Sequence, residues 1–96
     1  MKSVMSGLTI FAALAAAGTI EFCSDTACGS SCSDQSTSGL ACRALGGIKS
    51  TQATQLDDGC SFTIYTDASC SDNGVAVPLN SCIINNNGFG SYSYDC

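Results

Sequence analysis

Cys60-Ser61-Phe62-Thr63-Ile64-Tyr65-Thr66-Asp67-Ala68-Ser69-Cys70-Ser71 is the stretch whose reading decides the fold. Phe62, Ile64 and Thr66 alternate with Thr63 and Tyr65, the period of two expected of a strand with one buried face. Asp57-Asp58-Gly59 precedes the stretch and Asp72-Asn73-Gly74 follows it. Both are turn signals, because Asn, Asp and Gly tolerate positive φ. A strand is thus delivered into a turn, with a cysteine at each end.

An echo lies upstream. Thr19-Ile20-Glu21-Phe22-Cys23 alternates in the same way and runs into Ser24-Asp25-Thr26-Ala27-Cys28-Gly29. At an offset of 42, Ile20 matches Phe62, Phe22 matches Ile64, Asp25 matches Asp67 and Cys28 matches Cys70. Gly47-Ile48-Lys49-Ser50 aligns with Gly88-Phe89-Gly90-Ser91 at 41, and Cys42 with Cys82 at 40. The consistent spacing points to two related halves, about 19–58 and 59–96.

Between these landmarks the expectations are local. Ser30 to Gly39 is rich in Ser, Thr, Asp and Gly and reads as a surface loop. Leu40-Ala41-Cys42-Arg43-Ala44-Leu45 has the apolar spacing of a helical turn or two, ended by Gly46-Gly47. Ile48 to Leu56 is mostly polar and β-tolerant, which predicts an exposed edge strand. Val75 to Leu79 predicts a short strand stopped at Pro78. Cys82-Ile83-Ile84 enters an Asn85-Asn86-Asn87-Gly88 turn, and Ser91 to Cys96 is the last strand, with Tyr92, Tyr94 and Cys96 on one face.

Residues 1–18 read as a signal peptide. Lys2 supplies the positive start, Val4 to Ala17 the apolar run, and Ala15-Ala16-Ala17 a small-residue cleavage site, with cleavage expected after Ala17 or Gly18. The run is short for a membrane span, so the expectation is a secreted domain over 19–96 with no stable membrane insertion. Its large apolar residues suffice for one thin core, and a core of that size seldom yields more than ~3–5 kcal/mol without staples.

Cysteine supplies the staples. All eight cysteines lie after residue 18, and an even count in a short secreted chain reads as disulfides. Zinc is disfavoured, since the chain has no histidine and no Cys-x-x-Cys pair. Only Arg43 and Lys49 are basic beyond the leader, against Glu21, Asp25, Asp34, Asp57, Asp58, Asp67, Asp72 and Asp95. Such a surface repels phosphate backbones and anionic lipids, which argues against nucleic-acid binding and cationic membrane lysis.

Two halves of about 40 residues, each of four short strand segments, have the arithmetic of paired Greek keys. The chain resembles the βγ-crystallin domain here. That family has an aromatic-rich first strand entering a turn, then a Gly-containing segment ending in a serine that pins the turn. Tyr65 through Gly74 with Ser91 fits in the second half, and Phe22 through Gly29 with Ser50 fits loosely in the first. The family's second turn aromatic is missing, and Cys28 and Cys70 stand near its place. The resemblance implies a mainly β, disulfide-stapled sandwich of two Greek-key-like halves, with one short helix allowed near Leu40–Leu45. It implies Cys60–Cys96, because first and fourth strands lie side by side, then Cys70–Cys82, its echo Cys28–Cys42, and Cys23–Cys32. This is one of roughly 105 connectivities. Calcium, bound by some family members, is not expected. Gly90 stands where a ligand hydroxyl belongs, and the Gly46 to Ser50 segment lacks the acidic or amide pair. No cofactor is expected.

Catalysis finds little to stand on. Triads that use histidine are impossible, Glu21 is the only glutamate, and an even cysteine count leaves no free thiol. The expectation is that the chain is not an enzyme. Tyr65, Asn85, Asn86, Asn87, Phe89 and Tyr92 are the candidate contact residues, an aromatic surface beside a flexible turn. The competing reading, the favoured one, packs Tyr92 and Tyr94 inward as core. Hydrophobins and hevein-like binders carry Cys-Cys doublets, and haem-binding fungal eight-cysteine domains carry Cys-x-Cys; this chain has neither.

The leader, the short mature chain and the Cys-x-Phe-x-Ile-Tyr-x-Asp-x-x-Cys element resemble small secreted cysteine-rich proteins of filamentous fungi. That resemblance implies a monomeric effector that binds an extracellular protein or glycan of a host or competitor. An antimicrobial or killer-toxin-like protein and an inhibitor of a secreted protease are the alternatives.

Overall fold

The computed structural model describes residues 17–96. The leader expectation falls outside them apart from Ala17 and Gly18. Gly18 already belongs to the fold: it pairs with Thr37, and a Cβ there would lie 2.5 Å from the Tyr94 ring. The described chain forms β1 (Gly18–Cys23), β2 (Cys32–Thr37), β3 (Leu40–Gln55), β4 (Ser61–Tyr65), β5 (Val75–Ala76) and β6 (Ile83–Asp95), and these residues contain no helix. The strands form one sheet in the order β2-β1-β3-β6-β4-β5, with every neighbouring pair antiparallel.

The order is symmetric. β1, β2 and β3 relate to one another as β4, β5 and β6 do, which places the two halves head to head across the β3–β6 contact. Those two strands are long because each serves both halves. The start of β3, Leu40 to Ala44, pairs with Tyr94 to Ser91 of β6, next to β4. Its end, from Ser50, pairs with β1 on one side and with Ile84 and Ile83 of β6 on the other. Between these parts three residues, 45–47, face Gly90, and four, 85–88, face Lys49. Gly47 and Gly88 have φ of 72° and 91° there, which only glycine adopts without strain.

The sheet folds over at these bulges. β1 and β4 are three strand spacings apart, about 14 Å in a flat sheet. Their Cα atoms nevertheless come within 8 Å. Ile20 and Phe22 of β1 meet Phe62 and Ile64 of β4 in a single core with Ala53, Val77, Tyr92 and Tyr94. Phe22 packs edge-on against Tyr92 with ring centroids 4.8 Å apart, and Phe62 against Tyr94 at 4.2 Å. The expected mainly β architecture of two related halves is present, built from one continuous sheet.

Three local expectations are corrected. Leu40–Leu45 is strand, not helix. Leu40 pairs with Tyr94 and Arg43 with Tyr92, so β3 carries one extra residue between them, a β-bulge. The bulge lets Leu40 and Leu45, an odd number of residues apart, both pack against the core. That gives a strand the spacing of a helix. Ile48 to Leu56 is not an exposed edge: Ser50 and Thr51 are fully buried between β1 and β6, and Ala53 between β1 and the 78–80 segment. Its polarity is tolerated because the buried hydroxyls donate to backbone carbonyls, Thr51 to Glu21 at 2.7 Å and Ser50 to Asp25 at 2.7 Å. The Ser30–Gly39 loop contains β2, an edge strand that is polar because its outer side meets solvent.

Candidate functional site

Each half turns after its first strand, and each turn is held in the same way. Cys70 N–H donates to Ser91 Oγ at 2.9 Å, and Ser91 Oγ donates to the Asp67 carbonyl at 2.6 Å. Cys28 N–H donates to Ser50 Oγ at 2.9 Å, and that hydroxyl donates to the Asp25 carbonyl. Both serines are fully buried, so each satisfies two backbone groups that would otherwise lie unpaired. Cys28 and Cys70 have φ of 52° and 57°, and Ser31 and Asn73 have 53° and 54°. The repeat read from spacing is a repeat of backbone conformation.

The turns differ in their aspartates. Asp67 accepts from Ser71 Oγ at 2.6 Å and from the backbone N–H groups of Asp72, Ser71 and Ser69. These hydrogen bonds, the Ser71 hydroxyl foremost, hold its carboxyl well below the usual range. Asp25 receives one bond, from Gly29 N–H at 3.3 Å, and its buried Oδ1 has no partner. Gly29 stands where the second half has Ser71, so the hydroxyl donor is missing.

The disulfides are Cys23–Cys32, Cys28–Cys82, Cys42–Cys70 and Cys60–Cys96, with no free cysteine among the described residues. Cys28–Cys42 and Cys70–Cys82, the pairs implied within each half, are not formed. Their four cysteines pair across the halves, because β3 and β6 each carry a first segment into the opposite half. The carboxylates of Glu21 and Asp25 approach Cys23, Cys28 and Cys32, but these sulfurs are committed to disulfides and offer no thiolate to a metal. At residue 90 a Cβ would lie 2.5 Å from the Asp67 carbonyl oxygen, so a hydroxyl-bearing side chain has no room there. Four disulfides in so small a domain are typical of extracellular proteins.

The candidate contact residues separate. Tyr92 is 2 % exposed and belongs to the core. Tyr65 is half-buried, its hydroxyl 3.3 Å from Ser93 Oγ. Asn85, Asn86 and Asn87 lie in the 85–88 bulge, where Asn87 N–H donates to Asn85 Oδ1 at 2.9 Å and closes an Asx turn. Asn86 and Asn87 are exposed, and Phe89 is partly buried against the core. Ile84, at the start of this bulge, is 53 % exposed, and sequence reasoning missed it because an Ile-Ile pair reads as buried strand.

A second feature is a cleft of about 250 Å³ between β2 and the start of β3. Ser33 and Gln35 line it from β2, Arg43 and Leu45 from β3, with Phe22 and Tyr92 among its walls. Arg43 sits opposite Tyr92 in register, so both side chains leave the same face of the sheet. Burial pushes the Tyr92 phenol above its ordinary value, and the charge of Arg43 opposes that shift. No family model, curated protein or solved structure matches the chain.

Proposed function

We propose that the chain is a secreted, non-enzymatic interaction protein of the fungal effector type, acting outside the cell by binding a host protein or glycan. The observation that carries this reading is the 85–88 bulge. It presents Asn86 and Asn87 beside the half-exposed Ile84 on a scaffold whose halves are cross-linked on both sides of it. An exposed aliphatic side chain next to amide donors and acceptors suits a contact whose shape is set before binding, which lowers the entropic cost of association. We also read the domain as βγ-crystallin-like. Two related halves, strand segments carried across between them, and serine-held turns support that reading.

The test uses the oxidised protein. Binding to host extracellular fluid and to a glycan panel is compared for the native chain, Ile84→Asp and Asn87→Asp, with Asp34→Asn on the opposite edge as control. The reading expects both bulge variants to lose binding while the control keeps it. Equal binding by all four proteins sinks the bulge as the contact. Unchanged host colonisation by a deletion strain sinks the effector role.

A further inference from the structure

The two mouths of the folded sheet are not alike. Val77 N–H donates to the Phe62 carbonyl at 2.9 Å, and the side chain is 2 % exposed in the core. The chain then runs on to Ala53, which exchanges backbone bonds with Pro78 and Asn80 at 3.1 and 2.7 Å. The second half is plugged. At the offset of 42 the first half has Gln35, paired with Ile20 as Val77 is with Phe62, and Ser33 in place of Val75. Gln35 is exposed, no plug forms, and the 250 Å³ cleft stands in its place.

This opening has a defined chemistry. Phe22, Leu45 and Ile48 give it apolar walls, Ser33, Gln35 and Tyr92 give it hydrogen-bonding groups, and Arg43 gives it a cation. No carboxylate lines it. Asp34, the acidic residue of β2, alternates to the opposite face from Ser33 and Gln35. A guanidinium can hold a carboxylate through two parallel N–H donors, and the apolar walls beside Arg43 favour an anion that carries an apolar body.

We infer that the cleft binds a small monocarboxylic acid with an aromatic or short aliphatic body, its carboxylate on Arg43 and its body between Phe22, Leu45 and Ile48. The volume of about 250 Å³ suits one ring and a short arm. The inference is independent of the bulge and of the effector reading.

Phenylacetate is the probe, titrated into the oxidised protein while amide shifts of residues 33–35 and 43–46 are followed. At ordinary ligand efficiency a probe of this size should bind with a Kd of about 1 mM. Arg43→Gln should weaken it at least fivefold, Arg43→Lys less, and phenylacetamide should bind at least fivefold more weakly than the acid. Gln35→Val, which copies the plug of the other half, should abolish the shifts without lowering the melting temperature. Equal binding of acid and amide, or an unchanged Kd in Arg43→Gln, overturns the proposal. So does a response confined to a peptide ending in a free phenylalanine, which would make the cleft a peptide-end site. If Gln35→Val fails to fold, the Arg43 variants, exposed at their position, still decide.

Discussion

In the second half Val77 lies buried between the folded ends of the sheet, and in the first half Gln35 stands exposed at the equivalent place. Each faces the inward residue of a first strand, Phe62 or Ile20, but Gln35 stays within β2 whereas Val77 follows the end of β5 and leads on to Ala53. The exchange of Val77 for Gln35, together with the path the chain takes after it, separates a closed core from an open cleft. The duplicated frame tolerates the difference because its stability rests on features both halves share, the serine-held turns and the crossed disulfides.

Removing the cross-links should have the largest effect. Cys28–Cys82 closes 54 residues and Cys42–Cys70 closes 28, whereas Cys23–Cys32 closes 9. In the chain-entropy description, replacing Cys28 and Cys82 together with serine costs about 4 kcal/mol, and replacing Cys23 and Cys32 costs about 3 kcal/mol. Urea melts of the two double variants check the order. A larger loss for Cys23/Cys32 would mean that Cys28–Cys82 adds little to what Cys42–Cys70 already holds together. Peptide mapping of the unreduced protein tests the pairing itself, since a Cys28–Cys42 fragment contradicts the crossed arrangement.

Exchanging the plug comes next. Val77→Gln puts a polar amide where a fully buried side chain stood and should cost about 2 kcal/mol, from lost burial alone. The reverse exchange, Gln35→Val, should leave stability unchanged or slightly raised. Equal losses from both would show that the two mouths differ less than their exposure indicates.

The repeat was legible in the sequence and the exchange between its parts was not. Asp25/Asp67, Cys28/Cys70 and Ser50/Ser91 recur at nearly one spacing because each trio makes one turn, and a turn held by its own side chains is a local object. Which half Cys42 and Cys82 reach depends instead on where β3 and β6 cross, and that crossing is written only in the bulges at 45–47 and 85–88. Leu40–Leu45 misled for the same reason, since one extra residue in a strand shifts the phase of its apolar positions. The cleft was hidden as well. Its signal, Gln35 against Val77 at the offset of 42, carries meaning only once both residues are known to face inward. Arg43 stood out as one of two basic residues, but only its register with Tyr92 shows that it overlooks the cleft.

The serines test whether the two turns are energetically as alike as they are geometrically. Ser91→Ala leaves the Cys70 N–H and the Asp67 carbonyl without their partner, and Ser50→Ala does the same to Cys28 and Asp25. Each should cost about 1.5 kcal/mol, the order expected for leaving buried backbone groups unpaired. Chemical melts giving a difference of more than a factor of two between them would show that one half leans on its turn more than the other does.

Acid should separate the halves by the smallest margin, and the sign follows from Asp67. Its folded carboxyl is held well below the ordinary value of 3.8, first by the Ser71 hydroxyl and then by the Asp72 N–H. As pH falls through about 4 the unfolded chain takes up a proton at this position while the folded chain does not. The unfolded state then binds more protons, so the stability that Asp67 contributes is fully present above that pH and drains away below it. The group is open to solvent, which keeps the effect modest. Melting temperatures between pH 5 and pH 2 should therefore decline less steeply in Ser71→Ala and least in Asp67→Asn, each compared with the native chain. The Ser71 hydroxyl is what the first half lacks, because Gly29 occupies its place. A pH profile unmoved by Ser71→Ala would mean that the backbone amides alone hold the Asp67 carboxylate.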